Sequence, residues 1–452
     1  VTTETTSAAN AKVNLRAVFA VMVGVALASL DTAIANTALP AIAADLNAAP
    51  AASIWVINAY QLAIVATILP LAALGDIVGH RRIFIAGLAL FTCASLACAL
   101  APTLALLSGA RALQGIGASG VMSVNVALLR FIYPPERLGR GVGLNALTVG
   151  ISFAVGPSVA SLILSVAPWP WLFGINVPLG IAALIVAVPS LPQSPRGTHR
   201  FDTVAAVLNV VAFTALILAL SSAAQREPAS WWGSALAVAC LFGALLIKRE
   251  HGNANPILPV DLFRRPAFAL SSLTSVCTFT AQGLAFVSLP FYFEGVLHRN
   301  QVDTGFLMSP WSIVVALAAP LAGRLSDKYP PAILGGVGLG ILSLGMASMA
   351  LLPADPSVLD ICIRMTICGA GFGFFQSPNL RALMSAAPPQ RAGGASGTIA
   401  TSRLLGQATG AALTAFCFSQ AGVHGSTYAL WLGAGFAAFA AVASVMRLAV
   451  RQ

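Results

Sequence analysis

Fourteen long apolar runs, parted by short breaks that are polar or rich in Pro and Gly, leave this chain few ways to fold. They lie near 15–39, 53–74, 83–100, 104–131, 141–166, 171–188, 203–222, 232–247, 267–292, 304–323, 332–352, 358–386, 393–421 and 426–446. A mostly apolar stretch of about 18 or more residues is long enough to cross the ~30 Å hydrocarbon core as a helix. Two runs are weaker, since 203–222 holds Asn209 and 232–247 is short, so twelve or thirteen spans also fit. Of the 452 residues 58% are hydrophobic and 8% charged, against about a quarter charged in soluble domains. That balance excludes a water-soluble core. The expected fold is an all-α polytopic membrane protein.

An even number of spans puts both ends on one face, and the basic residues say which. Loops on that face hold Lys12, Arg16, Arg81, Arg82, Arg130, Arg137 and Arg140, and later Lys248, Arg249, Arg264, Arg265 and Lys328. The opposite face holds only Arg226 and Arg299. This asymmetry is the positive-inside pattern and predicts cytoplasmic termini. It also assigns the net charge of +10 to membrane orientation rather than to nucleic acid. All seven cysteines fall inside apolar runs and none forms a CxxC pair, so neither disulfides nor a metal site is expected. Residues 1–14 read as polar and loose, and the first run is too long for the core of a cleaved signal.

An internal repeat runs through the chain. Pro134-Pro135 and Pro388-Pro389 stand 254 residues apart, as do Asn125 and Asn379. Arg111 and Arg364 precede them on corresponding runs, and Asp76 and Asp327 are 251 apart. These offsets predict two six-helix halves, 1–190 and 253–452, with two inserted helices in 191–252. Duplicated halves are a common transporter plan, with the binding site between them at mid-depth.

Within the first run, Leu30–Pro40 reads LDTAIANTALP and carries one acid, Asp31. A charge near a helix centre costs at least ~2.5–3.5 kcal/mol on insertion, so it should face a cavity or a partner. Two readings stand side by side: a structural carboxylate in a helix–helix hydrogen bond, or a proton carrier. Asp31 lies eight residues before Leu39 and Arg111 eight after Thr103, which puts both roughly 12 Å from the same face. Arg111 is then a static counter-ion or a group that controls when the proton binds.

Four ordered stretches together resemble the major facilitator superfamily, in its fourteen-helix drug:proton antiporter branch of quaternary-ammonium and methyl-viologen exporters. LDTAIANTALP is similar to the branch's first-helix signature through Asp31, Asn36 and Pro40. LGDIVGHRR resembles the loop motif through Gly75, Asp76, Gly79, Arg81 and Arg82, with His80 where Arg or Lys is usual. RALQGIGASG matches the fourth-helix motif at Arg111, Gln114, Gly115 and Gly117. The fifth helix resembles the antiporter motif through Gly143 and Gly156-Pro157, but Ser152, Ala160 and Ser161 stand where glycine is expected. The second-half loop is degenerate, Pro330-Pro331 replacing its Gly–basic step.

The resemblance implies a monomer in a bacterial-type plasma membrane that exchanges protons for a small molecule, with no cofactor. It implies a cytoplasmic latch at Asp76, Arg81 and Arg82, echoed by Asp327, and a sealing role for the helix of Gly156 and Pro157; packing without gating is the plainer alternative. A lipophilic cation is the expected cargo, held by aromatic faces plus one acid. Asp31, Asn36, Tyr60, Trp311, Phe375 and Arg403 are the candidates for the cavity, with Trp55, Phe279, Phe286 and Phe374 also available. Glu294 is a second candidate proton site, Asp360 and Arg364 should pair along their helix, and Arg381 should reach the interface.

Other classes fit less well. None of the three lysines is followed by Ser or Thr, so no ATP-binding phosphate loop is present. His80, His199, His251, His298 and His424 form no HExxH, which argues against a membrane metalloenzyme. A channel would need a continuous polar pore. The competing reading is a same-fold carrier that exports a metabolite or amino acid, or imports by proton symport; Arg403 favours it, because a central Arg suits an anionic or zwitterionic cargo.

Overall fold

The computed structural model describes residues 13–134, 138–194, 201–224, 227–251, 260–326, 328–387 and 392–449. All fourteen expected helices form. The first eight are α1 (Leu15–Asp45), α2 (Trp55–Val78), α3 (His80–Ala99), α4 (Leu104–Ile132), α5 (Leu138–Val166), α6 (Asn176–Ser190), α7 (Thr203–Ala224) and α8 (Ala229–Glu250). The remainder are α9 (Pro266–Phe291), α10 (Gln301–Leu325), α11 (Pro331–Ala350), α12 (Val358–Ala386), α13 (Ala392–Ala421) and α14 (Gly425–Met446). The run expected at 171–188 is divided, with a short helix Pro170–Gly174 leading into α6. A π-helical turn, Tyr292–Val296, extends α9.

Among the described residues twelve spans are long and apolar enough to cross a membrane singly, and α5 makes a thirteenth as two segments bent by 42°. The expected fourteenth, α13, is as long as the others, but Thr401, Ser402, Arg403 and Gln407 dilute its apolar surface. Those polar residues become relevant at the site.

The packing follows the internal repeat. In the first half α1 packs on α5 and α6, α3 on α4 and α6, and α2 on α4. Eight helices later α9 packs on α13 and α14, α11 on α12 and α14, and α10 on α12. The halves meet where α5 packs on α10 and α2 on α13, a pair that the same shift of eight interchanges, and where α1 packs on α9, its own counterpart. The inserted helices α7 and α8 pair with each other, and α7 lies along α2 and α13. At their base Arg249 Nε donates to Asp202 Oδ2 at 2.9 Å, while Asp202 Oδ1 accepts from the Ala205 N–H at 3.0 Å. The hydrogen bond from Arg249 holds the Asp202 carboxyl below the usual carboxylate range.

Lipid tails are as apolar as leucine, so helices associate through close van der Waals contact, which small residues permit. A Cβ on Gly117 of α4 would stand 2.7 Å from Phe91 Cα of α3, and one on Gly371 of α12 would stand 2.8 Å from Leu342 Cα of α11. Likewise a Cβ on Gly115 would meet Ala63 on α2 at 2.9 Å, and one on Gly369 would meet Trp311 Cα on α10 at 2.9 Å. Each pair of glycines repeats the 254-residue offset of the double prolines. The repeat is therefore kept at the closest helix crossings.

Gly117→Ala and Gly371→Ala are expected to lower stability by about 1–3 kcal/mol each, because the new methyl meets backbone that cannot yield. Gly109→Ala and Gly340→Ala, where a Cβ meets nothing within 4 Å, should be neutral or stabilising by about 0.5–1 kcal/mol. Thermal unfolding of the four variants in detergent separates the two classes.

Candidate functional site

Two polar clusters bear on transport, one inside the first half and one between the halves. Asp31 on α1 is 2% exposed and receives three donors. Arg111 of α4 makes a salt bridge to its Oδ2, and Gln114 Nε2 and Asn176 Nδ2 each reach Oδ1 at 2.9 Å. Arg111 donates in addition to the Val56 carbonyl at 3.0 Å and to Gln114 Oε1 at 2.6 Å. Its guanidinium lies 4.1 Å above the ring of Tyr60, whose hydroxyl donates to the Ala28 carbonyl at 3.0 Å. The matched depths of Asp31 and Arg111 thus end in direct contact. Charge pairing, amide donors and a cation–π face together offset the cost of burying two ions.

The second cluster surrounds a narrow space of about 50 Å³ at mid-depth. Its aromatic wall comprises Phe153 of α5, Phe279 and Phe286 of α9, Trp311 of α10 and Phe372 of α12. Phe286 and Trp311 pack edge to face with centroids 5.3 Å apart, and Phe279 and Phe372 at 5.6 Å. The polar wall holds Gln282, Ser312, Gln376, Arg403 and Gln407. Gln407 Nε2 donates to Gln282 Oε1 at 3.2 Å, while its own Oε1 has no partner. Trp311 Nε1 and Arg403 Nε are likewise buried without partners. Among the described residues no ion pair reaches Arg403.

Two seams between the halves flank the space. Toward the far face α5 and α10 are tied by Ser158 Oγ to Ser309 Oγ at 2.7 Å, Ser161 Oγ to the Gln301 carbonyl at 3.1 Å, and Ser312 Oγ to the Phe153 carbonyl at 3.3 Å. Toward the face where the chain begins, α13 approaches α2, where a Cβ on Gly397 would stand 3.3 Å from the Leu69 side chain. A drug-sized ligand needs about 300–1,000 Å³, so the space must widen to hold one. A larger groove of about 850 Å³ lies between α13 and α14, but exposed Phe416, Tyr428, Trp431 and Phe439 line it. It faces the lipid side and holds no charge.

Several expected placements change. Asp31 was expected at the space between the halves; it is enclosed in the first half, because three donors hold it there. Tyr60 is fully buried beneath Arg111 and does not reach the central space. Asn36 is 6% exposed with Oδ1 unpartnered, also away from that space. Phe375 stands behind the wall, 6.2 Å from Phe372 and 6.5 Å from Phe279. Trp311, Phe279, Phe286 and Arg403 do line it. Glu294 sits partly exposed in the π-helical turn, outside the space. Asp360 and Arg364 pair at 2.8 Å as their spacing requires.

The loop motif also departs from expectation. Asp76 pairs with His80 Nε2 at 3.3 Å, not with Arg81 or Arg82. Arg81 instead donates to the Val188 carbonyl of α6, and Arg82 is exposed. Gly79 takes φ +109°, which favours glycine, and His80 N–H donates to Ser194 Oγ at 2.8 Å. Gly75 packs closely on Val124. Asp327 lies outside the described residues. On α5 Gly156 abuts Ala33 of α1, and Pro157 gives its carbonyl to Ser161 Oγ at 3.0 Å. Ser161, standing where glycine was expected, thus supplies one of the ties to α10.

Among the described residues, the long apolar helices, the two repeated halves and the polar and aromatic space between them define a membrane transporter rather than an enzyme. The chain belongs to the Major Facilitator Superfamily, whose family model matches residues 21–411. It is 48% identical to an uncharacterized Escherichia coli transporter, YebQ, over 96% of this chain and 95% of that protein. It is 30% identical to the riboflavin transporter RibZ of Clostridioides difficile, over 88% of this chain and 87% of that one. With the multidrug resistance protein Stp of Mycobacterium tuberculosis it shares 29% identity over 94% of this chain and 77% of that one. A crystal structure of a POT family transporter with a bound thioalcohol-conjugated peptide superposes with a TM-score of 0.74 over 97% of both chains, at 14% identity.

Asp31→Asn leaves the Arg111 charge without a counter-charge and should cost about 3–5 kcal/mol of stability. Asp31→Asn with Arg111→Gln should recover at least half of that loss. Asp360→Asn, which breaks a partly exposed pair, should cost about 0.5 kcal/mol or less. Thermal unfolding in one detergent measures all three.

Proposed function

We propose that this protein is a proton-coupled antiporter that exports small organic molecules of the multidrug kind by alternating access. It acts as a monomer in the plasma membrane with both termini cytoplasmic. Its moving units are 1–190 and 253–452, with 191–252 as the insert. The observation that carries this reading is the buried Asp31–Arg111 pair on a helix that also touches the far half. Below Asp31, Ala35, Ala38 and Leu39 of α1 share one apolar cluster with Val287 and Phe291 of α9, the helix that walls the central space. The drug-resistance role in the name of the Mycobacterium relative supports the efflux side.

Proton and cargo then occupy separate places. Protonating Asp31 removes the charge that Arg111 neutralises, loosens the α1–α4 contact, and lets α1 shift against α9. The seam at α5–α10 or the one at α2–α13 opens in turn. A proton moving inward gains about 2.3 kcal/mol per 100 mV, enough for modest uphill export. Proton and cargo do not compete for one acid in this scheme, since no carboxylate lines the space among the described residues.

A second reading is a same-fold carrier of a metabolite or amino acid, which the relation to a riboflavin transporter favours, or a proton symporter. In inside-out vesicles with an acidified lumen, adding cargo should make the lumen more alkaline under antiport; symport would not. Asp31→Asn should reduce gradient-driven transport at least tenfold while exchange without a gradient persists. Undiminished gradient-driven transport would move the proton site, first to Glu294.

A further inference from the structure

The central space is built for the opposite charge from the one the chain's family resemblance suggests. Arg403 projects into it with no ion pair among the described residues, and no Asp or Glu lines it. An uncompensated guanidinium in a low-dielectric site is costly, and the cost disappears when an anion binds it. Around it stand two further unmet groups, the Trp311 indole N–H, a donor, and Gln407 Oε1, an acceptor. The remaining wall is aromatic, with Phe279, Phe286 and Phe372 presenting edges and faces suited to a flat ring system.

We infer that the cargo is a flat aromatic molecule bearing one acidic group, such as a carboxylate or an ionised enol. Arg403 pairs with that group, the Trp311 N–H donates to a second oxygen, and the phenylalanines sandwich the rings. The same Arg403 rejects lipophilic cations by repulsion. The inference rests on the central space being the cargo site of the proposed exporter. The present 50 Å³ must widen to take such a molecule, which parting a seam would allow.

The test uses the full chain, purified in lipid nanodiscs, and equilibrium dialysis with three matched probes: an anthracene carboxylate, its carboxamide and its methylammonium analogue. Wild type should bind the carboxylate at least tenfold more tightly than either of the others. Arg403→Gln should lose that preference while keeping the weaker amide binding, and Arg403→Lys should retain part of it. Thermal unfolding of both variants near the wild-type midpoint shows that they are folded, and the lysine variant carries the test if the glutamine variant is not. Equal binding of the three probes, tighter binding of the ammonium, no binding of any, or an Arg403→Gln protein that still prefers the carboxylate would each overturn the inference. Gradient-driven transport of the carboxylate in vesicles is read separately. Charge-selective binding without such transport would sink the exporter reading and leave the site assignment standing.

Discussion

The ion pair of Asp31 with Arg111 is the contact on which the first half depends. Two full charges at mid-membrane are tolerable only when each is met by the other and by further dipoles. Gln114 and Asn176 provide those dipoles, and Tyr60 covers the remaining face of the guanidinium. In consequence α1, α2, α4 and α6 converge on one polar point inside an otherwise apolar bundle. The second half has no counterpart of equal depth. Arg364 pairs with Asp360 near a helix end, and buried Arg447 is met by neutral acceptors, Asn379 at 2.8 Å and Ser271 at 2.9 Å. The duplicated scaffold has thus kept its packing while its charges have diverged.

What the halves share is close approach of backbone. Glycine at four equivalent points lets α4 reach α2 and α3, and α12 reach α10 and α11. Between the halves the chemistry differs from seam to seam. The α5–α10 seam is tied by serine hydroxyls, and the α2–α13 seam is apolar. Hydroxyl ties can exchange for water or for each other as helices slide, whereas an apolar seam opens onto lipid or water only at a cost in exposed area. The two seams are accordingly held by different physical means.

Much of this architecture was legible from the chain alone. Helix existence follows from run length, as with Leu104–Ile132 and Val358–Ala386, whose ends fall within a residue or two of the apolar runs. The Asp31–Arg111 contact was legible as well, because helix rise converts sequence distance into depth. Less legible were the side on which Asp31 faces and the fate of Tyr60. Both depend on rotation about a helix axis, which an almost uniformly apolar helix does not record. The Asp76–His80 pair was visible as an i,i+4 spacing, yet the resemblance drew attention to Arg81 and Arg82 instead.

The sequence by itself determined that this is an all-helical membrane protein, that it is duplicated, and that a carboxylate and a guanidinium lie at one depth. Each follows from a one-dimensional quantity: run length, offset, or rise along an axis. Only the tertiary structure decided which buried charges are neutralised and which are not. Arg111 and Arg403 look alike in sequence, each well inside an apolar run with no acid within a turn of it. One meets Asp31 and the other faces the space between the halves, because pairing depends on which helix faces point at each other across the bundle, and the chain does not write that down in order.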